Sequence, residues 1–564
     1  MSYSYDLMEF KAPEDIDVYK CLILDAAHFV PAVCPLYYQG MGQHLWMHPY
    51  HLGVDYVNSP LKRGSGWRSY KGYCYITADP TTPEERKERE PLFRQKMTSF
   101  LADPYVPWNM WKEELKARYN PLMDRNLEQL GSGELAAHLW DVWDLDRRVW
   151  EIHMLGWTIY SEGLAAFRDM AAEMMGLTYT DPLYARLMSG FDNDLFQLNR
   201  GLARLASKAA QLKLEDTFKL PDEQVLPAME QTGAGKEWLA DFHHFLHEEG
   251  FRGQGWRMQR MLEYATPTWF EQPHLAVADI RRLMQIGGVH APEMQIERLT
   301  KDRKEAEREI LDKVPVADKD WFELTLRYAQ ASNVFCEDHD YWCEFRGFSL
   351  VRLAALEAGK RMVKAGIMED PEDALMLLID DLVLGAAGLE RNASLIKPRL
   401  KANKEEWAVN VKRPYPSDDV PMFLGDPSWI PTLVSADTML NVQISPQVAK
   451  PEEVGATCVG AAGAPGVAEG TARLVRDHTE WDQLQPGDIL VAPLTMATWT
   501  PLFSTIKAVV TDQGGMLSHP VIVGREYGIP AVAGCQDATQ KIKTGDRIKV
   551  DGNLCRVWVL EAAK

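Results

Sequence analysis

The sequence lacks the features of a membrane-spanning, secreted or nucleic-acid-binding protein. It has no apolar run of about 18 residues, the length that a transmembrane helix needs, and its N-terminus has no basic stretch followed by an apolar one. Lys and Arg number 61 against 81 Asp and Glu, and the formal net charge of −20 argues against nucleic acid or an anionic membrane as a partner. The 8 cysteines form no CxxC pair, which indicates reduced thiols and favours a cytoplasmic location.

The composition is that of a globular protein rich in large apolar side chains. Apolar residues make up 46% of the 564 residues and charged residues 25%. A chain of this length exceeds one hydrophobic core, so we expect about two or three domains. Most of its 18 tryptophans and 24 methionines belong in cores, and some of them suit a pocket for an aromatic molecule.

Hydrophobic periodicity separates a long helical part from a short linker. Residues 1–413 are predicted to form a mainly helical domain, because apolar residues such as Leu135, Leu139 and Val142 recur at helical spacing. Within this part, residues 72–76 have strand character. Residues 414–453 contain repeated prolines and glycines and are predicted to be a linker.

The most informative stretch of the chain is residues 511–530. It follows the strand-like run 506–510 and contains Gly514 and Gly515, then Ser518 and His519. Ser518 or His519 can cap a helix that begins there, Pro520 suits its first position, and a glycine at position 528 suits its end. The backbone N–H groups and the positive dipole end at such a helix start favour a phosphate group.

His519 at this helix start is predicted to carry a phosphoryl group. A neutral imidazole is a competent nucleophile near pH 7 and forms a reactive P–N bond. Arg525 and Glu526, about two turns further along, are expected to pair with the phosphate and with each other. The structural alternative is a histidine that only caps or packs at a helix start.

About the last 110 residues resemble the phosphohistidine swivelling domain of the PEP-utilising enzymes. Residues 466–475, 487–493 and 499–503 are similar to the family's opening strand, middle strand and the segment before its active turn. The resemblance implies a C-terminal β/β/α domain over residues 454–564, after a large helical substrate domain, so that the fold class is multidomain α plus α/β. It also implies that His519 is the carrier and that Gly514, Gly515 and Ser518 form its turn. Pro520 and Gly524 depart from the usual alanine-like residues.

Four more residues are candidates for binding the acceptor or the phosphoryl group. Residues 251–255 and 267–273 partly resemble a signature of the family's helical domains; Arg252 is retained, whereas Glu249 and Phe251 replace its Tyr and His. Arg252 is expected either to meet the phosphoryl group or to be a structural cation.

Asp338, His339 and Arg346 lie in a run of ionisable and aromatic residues that is predicted to be helical. They are candidates for a general base and a phosphate clamp, with an ion network within the helix as the alternative.

A histidine-rich segment near the N-terminus is not predicted to bind a metal. His44, His48 and His51 lie in a segment broken by proline, without the cysteines or acidic residues of a metal site. A wall of an aromatic substrate pocket is the preferred interpretation. No metal ligands are therefore predicted in this chain.

The phosphoryl donor is expected to bind elsewhere. No glycine-rich nucleotide loop precedes the swivelling domain, and the 45 residues after His519 are too few for a PEP-binding barrel. The domain order resembles the larger subunit of phenylphosphate synthase. That resemblance implies a separate ATP-grasp subunit that binds ATP with Mg²⁺ or Mn²⁺, and a phenolic acceptor. A hydroxyaryl ketone, an antibiotic hydroxyl, or a carrier subunit without catalysis are the alternatives.

Overall fold

The structure is a computed structural model. It describes residues 9–25, 32–46, 49–99, 102–178, 181–252, 267–285, 292–437, 440, 448–476, 478–495, 499–516 and 518–563. The chain forms two compact units: the first comprises described residues of 9–163 and 342–440, and the second those of 164–252, 267–341 and 448–563. Within these residues, no helix combines the length and apolar character that crossing a bilayer requires.

Most of the described chain before residue 437 is α-helical. The helices, in chain order, are α1 (Glu14–Tyr19), α2 (Pro35–Gly40), α3 (Pro49–Val57), α4 (Pro83–Ser99), α5 (Tyr105–Met123), α6 (Ser132–Met175), α7 (Pro182–Leu187), α8 (Asp194–Gln211), α9 (Asp222–Met229), α10 (Gly233–Glu249), α11 (His274–Gln285), α12 (Pro292–Leu311), α13 (Lys319–His339), α14 (Arg346–Lys364), α15 (Ile379–Ala387), α16 (Leu389–Asn410), α17 (Ile430–Ala436), α18 (Pro451–Val454), α19 (Thr500–Phe503), α20 (His519–Tyr527) and α21 (Ala538–Lys541). Two π-helical segments, Met41–Trp46 and Asp340–Phe345, extend α2 and join α13 to α14.

The first unit combines helices with a small antiparallel sheet. Its strands are β1 (Cys21–Leu24), β2 (Lys62–Tyr70), β3 (Tyr73–Pro80) and β4 (Phe423–Gly425), in the order β2-β3-β1-β4. Strand β3 includes most of the stretch 72–76 that was predicted to be a strand. Part of the predicted linker 414–453 is β4, which pairs with β1 through Leu22 and Leu424. The three-part division of the chain stays a prediction.

The second unit joins helices α7–α13 to a C-terminal sheet domain. Its eight strands are β5 (Cys458–Val459), β6 (Ala462–Ala464), β7 (Val467–Leu474), β8 (Ile489–Ala492), β9 (Ala508–Thr511), β10 (Ala531–Ala533), β11 (Arg547–Asp551) and β12 (Arg556–Glu561), in the order β5-β12-β11-β7-β8-β9-β10-β6. Strands β7 to β10 run parallel and the other pairs antiparallel. The predicted fold class, multidomain α plus α/β, is confirmed.

Separate hydrophobic cores support the two parts of the second unit. In the helical part, Trp238 is fully buried, stacks on Phe242 at 4.9 Å, and donates from Nε1 to the carbonyl of Leu205 at 2.9 Å. In the sheet domain, Val491 and Val510 of neighbouring strands belong to one buried cluster. Burial of these large apolar surfaces holds each part together.

Candidate active site

The parallel strands β8 and β9 bring the chain segments of the candidate site together. Ala492 at the end of β8 is paired with Thr511 at the end of β9. The carboxyl ends of both strands therefore lie at the same edge of the sheet, which is where α/β proteins bind ligands. Thr495 follows β8 and His519 follows β9 at this edge.

The His519 ring lies between two threonine hydroxyls. Its Nδ1 is 2.9 Å from Oγ1 of Thr495 and its Nε2 is 3.0 Å from Oγ1 of Thr500. Phe503 contacts the ring edge-to-face at 5.3 Å. A neutral imidazole has one N–H donor and one acceptor nitrogen, so one threonine accepts a hydrogen bond from the ring and the other donates one.

Burial keeps the His519 ring uncharged. The side chain is only 9% exposed, and this desolvation lowers the pKa of His519 to about 3. At neutral pH the ring is therefore the neutral imidazole, whose one unprotonated nitrogen has the lone pair that nucleophilic attack requires. The two hydroxyls fix the direction in which the reactive nitrogen points.

The glycine turn before His519 depends on backbone conformations that a side chain would strain. Gly514 has φ +120°, and a Cβ there would lie 2.7 Å from Oγ of Ser518. Ser518 occupies the N-cap position of α20 as predicted, but its hydroxyl donates to the carbonyl of Gly515 at 2.7 Å and makes no capping bond. The backbone N–H groups at the start of α20 are therefore not satisfied by the Ser518 hydroxyl.

Helix α20 has the predicted bounds and packs closely on the sheet. It begins at His519, with Pro520 in its first turn, and ends where Gly528 adopts the left-handed conformation with φ 65°. A Cβ on Gly524 would lie 3.1 Å from the Cβ atoms of both Ala464 and Ala531. Close packing between α20 and strands β6 and β10 therefore explains why glycine stands where the resembled family usually has alanine.

Arg525 and Glu526 do not form the ion pair that was predicted. Arg525 is buried and donates from Nη2 to Oδ1 of Asn333 on α13 at 2.7 Å, while burial lowers its pKa. Glu526 accepts from the backbone N–H groups of Gly190 at 2.9 Å and Phe191 at 3.4 Å. Successive side chains on a helix point about 100° apart, so these neighbours reach different partners.

Burial makes Glu526 a weaker acid than usual. Desolvation raises its pKa to about 7, although the two backbone N–H groups and nearby cations, Arg525 and Arg303, act in the opposite direction. Glu526 thus changes charge close to neutral pH.

Tyr527 extends the contact of α20 with the helical part. Its ring stacks on Phe196 of α8 at 5.9 Å, and its hydroxyl accepts from the amide of Asn199. Together, Arg525, Glu526 and Tyr527 attach one end of the histidine-bearing helix to three separate segments of the helical part. We call this set of contacts the docking contact of α20.

Arg252 lies in the helical part of the second unit, in an aromatic and acidic setting. It is fully buried, its guanidinium lies 4.2 Å from the Tyr341 ring centroid, and Nη2 bonds to Oε2 of Glu249 at 3.0 Å. Nε and Nη1 have no hydrogen-bond partner among the described residues. These N–H groups retain the capacity to bind an oxyanion.

Asp338 and His339 have structural partners near the end of α13. Oδ1 of Asp338 accepts from the backbone N–H of Asp194 at 2.7 Å, at the start of α8. Nδ1 of His339 is 2.9 Å from the carbonyl of Phe335, and its ring stacks on Phe335 at 4.9 Å. The described contacts therefore show both residues stabilising helices, while any role in acid–base chemistry stays a prediction.

Arg346 belongs to the first unit. It is 2% exposed and its guanidinium lies 4.8 Å from the Trp342 ring centroid and 5.5 Å from that of Tyr119. The four predicted acceptor-site residues are thus divided between the two units, with three in the second and Arg346 in the first.

Sequence reasoning did not identify the threonines on either side of His519, or Asn333 and Glu337 on α13. Burial raises the pKa of Glu337 well above its usual value, with Asp338 and Glu526 adding to the effect. The run from Trp499 was recognised as the segment before the active turn, so Thr500 could have been proposed from its place there. No local signal marks Asn333, because its partner Arg525 is 192 residues away.

The C-terminal sheet domain thus presents an uncharged histidine at a helix start, after a glycine turn. Residues 484–554 match the model of the PEP-utilising enzyme mobile domain, and residues 158–335 match the rifampicin phosphotransferase fourth domain. The chain belongs to the PEP-utilising enzyme family, as the resemblance predicted.

Three related proteins align with more than half of this chain, and each of them is far longer than the chain. The chain is 30% identical over 429 residues to chondramide synthase cmdD of Chondromyces crocatus, 73% of this chain and 10% of the relative. It is 30% identical over 339 residues to the uncharacterized phosphotransferase YvkC of Bacillus subtilis, 60% of this chain and 38% of the relative. Rifampicin phosphotransferase of a Streptomyces species is 27% identical over 336 residues, 59% of this chain and 36% of the relative. The chain therefore spans less than two fifths of each.

Proposed function

We propose that this protein is a phosphotransferase subunit that carries a phosphoryl group on His519 and delivers it to the hydroxyl of a phenolic compound. The observation that supports the proposal best is the His519 ring itself. It is uncharged, since its pKa is about 3, and it is oriented by Thr495 and Thr500 at a helix start. An uncharged, oriented imidazole at the positive end of a helix dipole is suited to attack phosphorus and to carry the resulting phosphate.

ATP is the proposed source of the phosphoryl group. By the resemblance to phenylphosphate synthase, an ATP-grasp module on a separate cytoplasmic subunit binds ATP with Mg²⁺ or Mn²⁺. Loading consumes one water molecule: the β-phosphoryl group is attached to a ring nitrogen of His519, the γ-phosphate leaves as inorganic phosphate, and AMP remains. Because His519 is buried beside the docking contact of α20, loading requires that this contact opens.

The acceptor is proposed to be phenol or a related phenolic compound. A phenol ionises near pH 10, so a base or a cation that assists loss of its proton makes it a good nucleophile at neutral pH. The oxygen attacks phosphorus in line, and the P–N bond breaks. Water must be excluded during this step, because it would otherwise take the phosphoryl group.

An antibiotic hydroxyl is the second candidate acceptor. The match of residues 158–335 to the rifampicin phosphotransferase fourth domain favours it. In both cases a hydroxyl oxygen bonds to phosphorus and loses its proton, so the same transfer chemistry serves either acceptor. Incubation of the loaded protein with members of each class distinguishes them by the phosphorylated product.

Labelling with ATP that carries ³²P at the β position tests the carrier role. The protein is incubated with candidate ATP-grasp subunits, and acid-labile label is measured on the wild type and on His519→Gln. His138→Gln, which changes another buried histidine, is the matched control. We expect label on the wild type and the control alone. Acid-labile label that persists on His519→Gln would disprove the assignment.

A further inference from the structure

A buried histidine–carboxylate pair lies in the first unit, far along the chain from His519. Nδ1 of His44 is 2.7 Å from Oδ2 of Asp146 on α6, and the two residues are 4% and 1% exposed. No other hydrogen bond of the His44 ring occurs among the described residues. Nε2 of His44 therefore remains available to a ligand.

The arrangement has the properties of a general base. A carboxylate that accepts from Nδ1–H fixes the tautomer in which Nε2 has a free lone pair, and it stabilises the imidazolium that forms when Nε2 takes a proton. The 102 residues between the partners mean that the fold, and not a local turn, creates the pair.

The backbone that holds His44 is unusual. His44 lies in the π-helical segment Met41–Trp46, which continues directly from α2. π-Helical turns are rare and occur frequently at functional sites, because the extra residue redirects side chains from their α-helical positions. Here the π-helical turn carries the histidine that meets Asp146.

One aromatic ring contacts the pair, and other rings of the same unit pack on one another. Trp143 lies 4.6 Å from the His44 ring, and Trp150, on the same helix α6, is 5.9 Å from Phe348. Tyr37 contacts Phe348 edge-to-face at 5.3 Å. Flat rings of this kind provide favourable stacking and edge contacts for an aromatic ligand.

The start of α14 lies beside the same carboxylate. A Cβ on Gly347 would be 3.6 Å from Oδ1 of Asp146 and 3.6 Å from the hydroxyl of Tyr119, so the start of α14 reaches both. Arg346, the neighbour of Gly347, lies over the Tyr119 ring at 5.5 Å.

A second buried histidine of α6, His153, does not have the same capacity. Nε2 of His153 is 3.2 Å from Oε1 of Glu344, and its Nδ1 is 3.3 Å from Sδ of Met154. Both ring nitrogens of His153 thus have neighbours, whereas within the described part of the chain only Nδ1 of His44 has a hydrogen-bond partner.

From these contacts we propose that His44 is the general base that takes the proton of a phenol-type acceptor, with Asp146 as its positioning residue. The inference rests on the proposed phosphotransfer and adds the place and the base of the acceptor step. In that step the phenolic oxygen bonds to phosphorus as its proton moves to Nε2 of His44. The P–N bond breaks, its electron pair stays on the His519 ring, and that ring takes a proton from water. His44 then returns its proton to water.

A single-turnover experiment tests this base. The protein is loaded on His519 with ³²P, freed of ATP, and mixed with phenol or with 4-nitrophenol, which is mostly ionised at pH 8.5. The variants are His44→Gln and Asp146→Asn, with His138→Gln, another buried histidine of α6, as the control. Asparagine at position 146 donates to Nδ1 and leaves the proton on Nε2, which is the wrong tautomer for a base.

We expect both variants to accept label on His519 as the wild type does. Transfer to phenol should fall about 10²- to 10⁴-fold, whereas transfer to ionised 4-nitrophenol should change less than about tenfold. The control should behave as the wild type with both acceptors.

Equal losses with both acceptors, or no loss with phenol, would overturn the role of His44. If His44→Gln does not fold, Asp146→Asn decides by the same comparison. A wild type that takes label but transfers it to no aromatic hydroxyl would instead refute the proposed function, so the two failures are distinguishable.

Discussion

The protonation state of Glu526 should control how firmly the histidine-bearing helix α20 is held. Glu526 follows His519 by seven positions, so both lie within about 20° of each other around the helix. Its carboxyl accepts from the N–H groups of Gly190 and Phe191, and burial raises its pKa to about 7. If the docking contact opens, this carboxyl becomes solvated and its pKa returns towards the ordinary 4.5.

The sign and size of the effect follow from this difference. The docked state has the higher pKa, so it binds the additional proton between about pH 4.5 and 7. The stabilisation by protonated Glu526 is therefore fully present below pH 4.5 and is lost as pH rises through 7. A difference of this size corresponds to about 3 kcal/mol, or on the order of 100-fold in the docking equilibrium.

Hydrogen exchange of the Gly190 and Phe191 amides measures this equilibrium. We compare the wild type with Glu526→Gln, whose side chain has the same shape but no charge, between pH 5 and 8. After correction for intrinsic exchange rates, wild-type protection at these amides should fall by up to about 100-fold with rising pH. Protection in Glu526→Gln should stay nearly constant.

A matched control isolates the docking contact. Glu469 is a half-exposed glutamate on β7 that pairs with Arg547, so Glu469→Gln should reproduce the wild-type pH dependence. The same pH dependence in the wild type and in Glu526→Gln would refute the reasoning, because the proton would then be bound elsewhere.

Three further predictions concern the turn and the ring of His519. Burial lowers the pKa of His519 to about 3, so between pH 3 and 6.5 the unfolded chain binds one proton more than the folded chain. The free energy of unfolding of the wild type, relative to that of His519→Gln, should therefore fall by about 1.4 kcal/mol for each pH unit below 6.5. Urea titrations at several pH values measure this difference. Thr500→Val should slow ³²P labelling of His519 about fivefold by removing one orienting hydrogen bond of about 1 kcal/mol, whereas Thr500→Ser should not. Gly514→Ala should lower the free energy of unfolding by about 1–3 kcal/mol, because φ +120° is strained for alanine and the added Cβ meets Oγ of Ser518. An unchanged free energy of unfolding would contradict the need for glycine at this position.

Much of the C-terminal domain could be predicted because its signals are local. Strand β9, the glycine turn and helix α20 follow one another within residues 508–527, and each depends on neighbouring side chains. Gly528 ends the helix in the left-handed conformation, as its residue type predicts. His519 was therefore placed correctly at a helix start from the sequence.

The partners of that helix could not be predicted. The pairing of Arg525 with Glu526 was wrong, because each side chain instead reaches a segment of the helical part, at Asn333 and at Gly190. Such contacts depend on how distant segments pack, and periodicity contains no information about them. For the same reason, the histidine-rich segment around His44 was read only as an aromatic wall, since Asp146 is 102 residues away.

The sequence alone determined the family, the helix start that carries His519 and the glycines of its turn, because backbone conformation there depends on adjacent residues. Only the tertiary structure decided that the imidazole is uncharged between two threonines, that Glu526 changes charge near neutrality, and that His44 meets Asp146. Desolvation and hydrogen bonding between remote segments set these properties, and both exist only once the chain has packed.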